Sequence, residues 1–84
     1  MIKILYFGSL PDLLGRGREE MFLPKTVKTS RDLLHYLAQR GEEWQQGLDE
    51  ARITLTVNRE FRELDAPLED GDEVAIVSKG LGRL

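Results

Sequence analysis

Pro67-Leu68-Glu69-Asp70-Gly71-Asp72-Glu73-Val74-Ala75-Ile76-Val77 is the stretch whose reading decides the fold. Asp70-Gly71 is a strong turn signal, because Asp bonds nearby backbone and Gly accepts the positive φ of a tight turn. The run from Glu73 to Val77 reads as a strand, with Val74 and Ile76 facing one way and Ala75 and Val77 the other. A strand that is apolar on both faces belongs inside a sheet. The run Ile2 to Phe7 has nearly the same property: Ile2, Ile4 and Tyr6 fall on one face, Lys3, Leu5 and Phe7 on the other. The first and last strands are therefore expected side by side at the centre of the sheet.

Working outward, Ile53, Leu55 and Val57 alternate with Thr54, Thr56 and Asn58, a half-buried strand rich in β-branched residues. Asn58-Arg59 can turn the chain into a short strand around Phe61, and Leu64, Pro67 and Leu68 fall in an irregular connection. Glu20 to Val27 is expected as a second strand antiparallel to the first, with Pro24 placing it at an edge. Gly8 to Gly17, which contains Pro11, Gly15 and Gly17, is expected as a turn region and hairpin tip. Thr29 followed by Asp32 predicts a capped helix whose stripe is Leu33, Leu34, Leu37 and Ala38, with Gly41 ending it at C′. Glu42 to Leu48 looks like a short extra turn anchored by Trp44 and Leu48.

One long helix must bury its stripe on one face of a mixed sheet. The expected class is α+β, in the β-grasp (ubiquitin-like) arrangement, with four to five strands and one main helix. Residues 1–78 form the domain. Residues 79–84, Lys79-Gly80-Leu81-Gly82-Arg83-Leu84, are expected to form a flexible C-terminal tail.

Composition narrows the function. A chain of 84 residues holds one core. It contains no cysteine, which excludes a disulfide scaffold, a thiolate zinc site and a cysteine nucleophile. The formal net charge is −3, and Lys and Arg form no stripe, so nucleic acid is not an expected partner. No segment approaches membrane-spanning length, and the N-terminal run lacks a basic flank, so a cytoplasmic protein without membrane attachment is expected.

Four candidate features stand out. Phe7, Phe61 and Val77 can share the sheet face opposite the helix and form an apolar docking patch. His35 lies off the helix stripe and reads as a surface residue. Glu69, Asp70, Asp72 and Glu73 lack the spacing of a calcium loop and read as turn-forming and solvating groups. Gly15-Arg16-Gly17-Arg18 is followed by no Gly-Lys-Ser/Thr and opens no helix, so it reads as a hairpin tip, not a phosphate loop.

The chain resembles the small-subunit family of molybdopterin synthase, the sulfur carriers of molybdenum-cofactor biosynthesis. The residues that carry the resemblance are Met1 to Phe7, Leu37-Ala38, Trp44 with Leu48, Val57-Asn58 and, most specifically, Pro67 to Ala75. It implies a β-grasp cosubstrate and not an enzyme acting alone. No cofactor is bound; ATP is used by an adenylating partner enzyme, which activates the terminal carboxylate. Sulfur then replaces an oxygen to give a thiocarboxylate, and the tail is inserted into the large synthase subunit.

By the same resemblance Phe7, Phe61 and Val77 match the contact positions for the two partners, and Gly80 and Leu81 belong to the inserted tail. The family usually ends in Gly-Gly. Here Gly82 stands at the penultimate glycine, Arg83 replaces the last, and Leu84 is one residue more. Gly82 is therefore the expected sulfur-bearing terminus once Arg83-Leu84 is removed. Two other readings stand beside this one: a non-catalytic β-grasp interaction module with a degenerate tail, and a sulfur carrier of another pathway such as thiamine synthesis.

Overall fold

In the computed structural model, which describes residues 1–79, the first and last strands lie side by side at the centre as expected, and they run parallel. Strands β1 (Ile2–Phe7), β2 (Arg18–Met21), β3 (Ile53–Val57), β4 (Glu60–Phe61) and β5 (Glu73–Ser78) form one sheet in the order β2-β1-β5-β3-β4. β1 runs parallel to β5, with Ile4 opposite Val74 and Phe7 opposite Val77. β3 pairs antiparallel with β5, and β2 with β1. The two strands that are apolar on both faces are thus both inner strands, where each backbone edge finds a neighbour.

Three helices cover one face: α1 (Leu10–Leu14), α2 (Ser30–Ala38) and α3 (Glu42–Gly47). Ile2, Ile4, Tyr6, Ile53, Leu55, Val57, Val74 and Ile76 point toward them and are buried, as are Leu33, Leu34 and Leu37 of α2. Each such side chain contributes roughly 1.5–3 kcal/mol by leaving water.

The N-terminus of α2 is fully satisfied. Asp32 N donates to Thr29 Oγ1 at 3.1 Å, and the Asp32 carboxylate accepts from Thr29 N, completing the capping box. Ser30 N and Arg31 N donate to Ala66 O and Leu64 O at 3.1 and 2.7 Å, so the irregular 64–68 connection supplies the remaining acceptors.

Sequence expectation and structure differ in three places. The supposed hairpin tip contains α1: Pro11 lies in its first turn and Gly15, at φ 80°, caps its end. Pro at the start and Gly at the end mark a short helix as well as a loop, and Leu10 and Leu14, four apart, bury its inner side. The second strand spans Arg18 to Met21, earlier than Glu20 to Val27. Val27 is buried, but its amide closes a turn onto Pro24 O at 3.0 Å. Gly41 is not the cap of α2, which ends at Ala38 with Gln39 as its C-cap; it opens α3 instead, at φ 155°.

The second strand has a consequence that the hydrophobic pattern does not reveal. Its register places Glu19, opposite Ile4, on the core side. There Glu19 accepts hydrogen bonds from Tyr6 Oη at 2.7 Å and from both terminal nitrogens of Arg40 at 2.7 and 2.9 Å. The Arg40 guanidinium lies 4.6 Å from the centroid of Trp44, whose ring meets Tyr6 edge-on at 5.7 Å. Burial opposes ionisation of Glu19, but the hydrogen bonds from Arg40 and Tyr6 outweigh it and hold the carboxyl below its ordinary range. Burial, and then donation to Glu19, keeps the Tyr6 phenol protonated.

Two expectations follow. Because the carboxyl of Glu19 binds its proton less readily in the folded chain than in the unfolded chain, its contribution is complete above about pH 5 and fades as pH falls below about 4. Glu19→Gln should cost about 1–3 kcal/mol at pH 7 in urea unfolding, and the gap to the parent should close in acid. The Ser30 hydroxyl is fully buried with no partner among the described residues. Ser30→Ala should therefore leave stability equal or raise it by up to about 1 kcal/mol. A loss larger than that in the same measurement would show that the hydroxyl is bonded after all.

Candidate functional site

Residues of a strand alternate between faces, so the register that buries Ile4 and Val74 also lays out the uncovered face. Paired residues share a side. Phe7 stands opposite Val77, and Val77 opposite Thr54. One step along, Leu5, Ala75, Thr56 and Phe61 form a row across four strands. The three residues singled out in the sequence, Phe7, Phe61 and Val77, thus share one face. The row adds Leu5 and Ala75, both half-buried, to that face.

This face is both apolar and accessible. Phe7 is 47% exposed and Phe61 78%. From β1 to β4 the row spans about 14 Å, three strand spacings. Asn58 and Arg59 make the turn that carries Phe61, with φ of 53° and 71°. Asn58 secures that turn, since its Nδ2 donates to Asp72 at 2.9 Å and its Oδ1 accepts from Glu73 N at 3.0 Å. Charges border the patch: Lys3 lies between Glu20 and Glu73 in register, and Arg18 lies beside Leu5.

The other features sort themselves by contact. Asp72 accepts from Glu69 N at 2.8 Å and from Asn58, which makes it a turn-former. Asp70 takes a hydrogen bond from the Met1 amino group, which holds its carboxyl below the usual range. His35 is exposed on α2, with Nε2 3.3 Å from Glu50 Oε2. Gly15 caps α1 and Arg18 enters β2, so no phosphate loop forms there. Among the described residues, no three His, Asp or Glu side chains are grouped to hold a metal ion, and no helix is long and apolar enough to cross a membrane.

β5 ends at Ser78, and Lys79 N still donates to Arg52 O at 2.8 Å. Gly80, Leu81 and Gly82, the tail positions named from the sequence, lie outside the described residues. The described residues thus form a sheet with an apolar, charge-bordered face, and Lys79 follows the end of its central strand.

Comparison with known proteins gives a consistent set of likenesses. The profile described as "ThiS family" matches residues 4–79. The chain is 32% identical over 75 residues to the molybdopterin synthase sulfur carrier subunit of Escherichia coli (strain K12), covering 89% of this chain and 90% of that protein. A solved Pyrococcus furiosus chain, provisionally assigned as molybdopterin converting factor subunit 1, superposes with TM-score 0.75 at 30% identity, covering 92% of this chain and 94% of that one. A chain of the Helicobacter pylori complex of subunits 1 and 2 of molybdopterin-converting factor shares the fold, at TM-score 0.60 and 23% identity, with coverage of 98% and 97%.

Proposed function

The chain belongs to the ThiS family, and from that premise we propose that it is the sulfur-carrier subunit of a molybdopterin-synthase-like complex acting in the cytoplasm. The observation that carries this reading is the extent of the likeness. It runs from Ile4 through both central strands to Lys79, the residue from which the tail begins, and the E. coli relative spans 89% of the chain.

In this reading the chain is a cosubstrate whose reacting atom is a carboxylate oxygen beyond Lys79. A carboxylate does not exchange oxygen for sulfur unaided, because oxide is a poor leaving group. In an adenylating partner that oxygen attacks the α-phosphorus of ATP, pyrophosphate leaves, and an acyl-adenylate forms. Hydrosulfide then attacks the acyl carbon and AMP leaves, giving a thiocarboxylate without change of oxidation state. The loaded tail enters the large subunit, as the existence of a subunit 1–subunit 2 complex in H. pylori suggests for a related assembly. The chain itself binds no cofactor.

Phe7, Val77 and Phe61 serve as the docking face for both partners, since their exposed apolar area is what binding would remove from water. Gly80 and Leu81 thread the partner's channel, where a missing Cβ at Gly80 lets the backbone approach the walls. Gly82 bears the sulfur after the residues beyond it are removed, because Arg83 and Leu84 add bulk and charge where the family ends in glycine.

Those same two residues favour a second reading, a β-grasp interaction module that keeps the face and has lost the reactive tail. Mass spectrometry of the protein from its own host separates the two. The carrier reading expects a species ending at Gly82 with one oxygen replaced by sulfur. Recovery of nothing but chains extending past Gly82, with an ordinary carboxylate under sulfur-transfer conditions, would sink it. The docking face has its own test. Phe61→Asp should leave the melting temperature nearly unchanged, since the ring is 78% exposed. In calorimetric titration it should weaken binding to the large subunit by about 2 kcal/mol or more, roughly thirtyfold.

A further inference from the structure

We propose that Gly8, Ser9 and Ser78, together with the Arg52 carbonyl, form a clamp that sets the direction in which the chain leaves the domain, and that Ser78 is thereby a positioning residue for chemistry at the carrier's C-terminus. The inference rests on the carrier reading and names a working part that neither the apolar face nor the tail sequence supplies.

The clamp holds the end of β5 from both sides. On the β3 side, Lys79 N donates to Arg52 O at 2.8 Å, so regular backbone pairing continues one residue past the strand. On the β1 side the backbone ladder cannot continue, because β1 ends at Phe7 and Gly8 turns away at φ 73°. The Ser78 side chain takes its place. Its Oγ accepts from Ser9 N at 2.9 Å and lies 3.1 Å from Ser9 Oγ, the second hydroxyl of the pair.

Glycine at position 8 is a steric requirement of this joint. A Cβ there would stand 2.3 Å from Ser78 Oγ and 3.2 Å from Ser78 O, besides being strained at that φ. A strand whose last residue faced only water would need neither the close approach nor the hydroxyl pair. The joint opens on a groove of about 330 Å³ lined by Ser9, Leu10, Leu13, Arg52, Ser78 and Lys79 among others, so the exit lies against a formed surface.

The physical effect is preorganisation. From Lys79 to Gly82 the chain reaches about 10 Å at full extension. A carboxylate at that distance must arrive in line with a nucleotide or a sulfur donor while the sheet face is already docked. Each backbone residue whose dihedrals are free at the root lowers the fraction of docked complexes with the end in place. Holding Ser78 and Lys79 before docking removes that loss. The docking face then governs affinity, and the clamp governs the rate within the docked complex.

The experiment uses the chain ending at Gly82 with the ATP-dependent activating enzyme of its own host, and reads kcat and KM for acyl-adenylate formation. Ser78→Ala is expected to lower kcat by about 5–30-fold, the factor that corresponds to ordering one further residue. KM for the carrier should change less than about twofold, because Phe7, Val77 and Phe61 are untouched. Ser78→Thr, which keeps the hydroxyl, should restore kcat. Gly8→Ala, which drives a methyl into the joint, should reproduce the loss. Ser9→Ala removes the second hydroxyl and gives an independent smaller loss. Amide hydrogen exchange at Lys79 should quicken in Ser78→Ala and not in Ser78→Thr. An active parent alongside a Ser78→Ala variant of unchanged kcat overturns the clamp alone. A parent that is never adenylated overturns the carrier reading, and the positioning role with it.

Discussion

Parallel pairing of β1 with β5 is the constraint on which the rest of the molecule depends. A strand's side chains alternate with period two, so a slip of one residue in this pair would turn every one of them over. In the register found, Ile4 with Val74 and Tyr6 with Ile76 face the helices, while Leu5 with Ala75 and Phe7 with Val77 face out. One choice of register therefore builds the core and the exposed apolar face together. It also brings the end of β5 next to the turn after β1, where Gly8 and Ser9 meet Ser78. Parallel strands need a long crossover, and everything between them in sequence must fit into that excursion: α1 and β2 on one side, α2, α3, β3 and β4 on the way back.

The core face of the same pair carries one polar demand. Tyr6 places a phenol against α3, and an unpaired buried hydroxyl would cost about 1–3 kcal/mol. Glu19 accepts its hydrogen bond, Arg40 neutralises Glu19 through two hydrogen bonds, and Arg40 in turn covers Trp44. The chain ties β1, β2, the end of α2 and α3 into one unit at the edge of the sheet. A network of this kind stabilises when every member is satisfied and is costly when one is removed, so it holds the position of short elements that apolar packing alone would leave loosely defined. The opposite edge is treated differently. There the 64–68 connection offers backbone carbonyls to the N-terminus of α2, and the Asn58–Asp72 contact joins two turns. The uncovered face lies between these two reinforced edges, which keeps Phe7, Val77 and Phe61 in fixed relation to the exit at Lys79.

Much of this was legible along the chain. Thr29 and Asp32 announced the cap of α2, Asp70-Gly71 the turn before the last strand, and Asn58-Arg59 the turn to Phe61; all three formed as read. Phe7, Phe61 and Val77 were expected on one sheet face, and the register puts them there. The region between β1 and α2 was harder. Gly15 and Pro11 are equally at home in a loop and at the ends of a five-residue helix, and only the packing of Leu10 and Leu14 on the core separates the two. β2 was displaced because its inward positions are Glu19 and Met21, and a carboxylate facing the core does not register as part of a hydrophobic alternation. Ser78 left no signal at all, since a serine at the end of a strand is unremarkable until its neighbours in space are known.

What the sequence determined by itself is whatever depends on near neighbours and on the period of side-chain alternation: the capped helix, the strands other than β2, their two-faced character, and the departure of Arg83-Leu84 from a glycine terminus. Such features follow from local backbone preference and from which side chains avoid water. What only the tertiary structure decided is everything that joins residues far apart in the chain. Glu19 became a partner for Tyr6 and Arg40, Ala66 and Leu64 became caps for α2, and Ser78 became the bond that replaces a lost rung beside Gly8. The physical reason is that hydrogen bonds and close approaches act over a few ångströms in space, and separation along the sequence carries no information about them until β1 and β5 have paired.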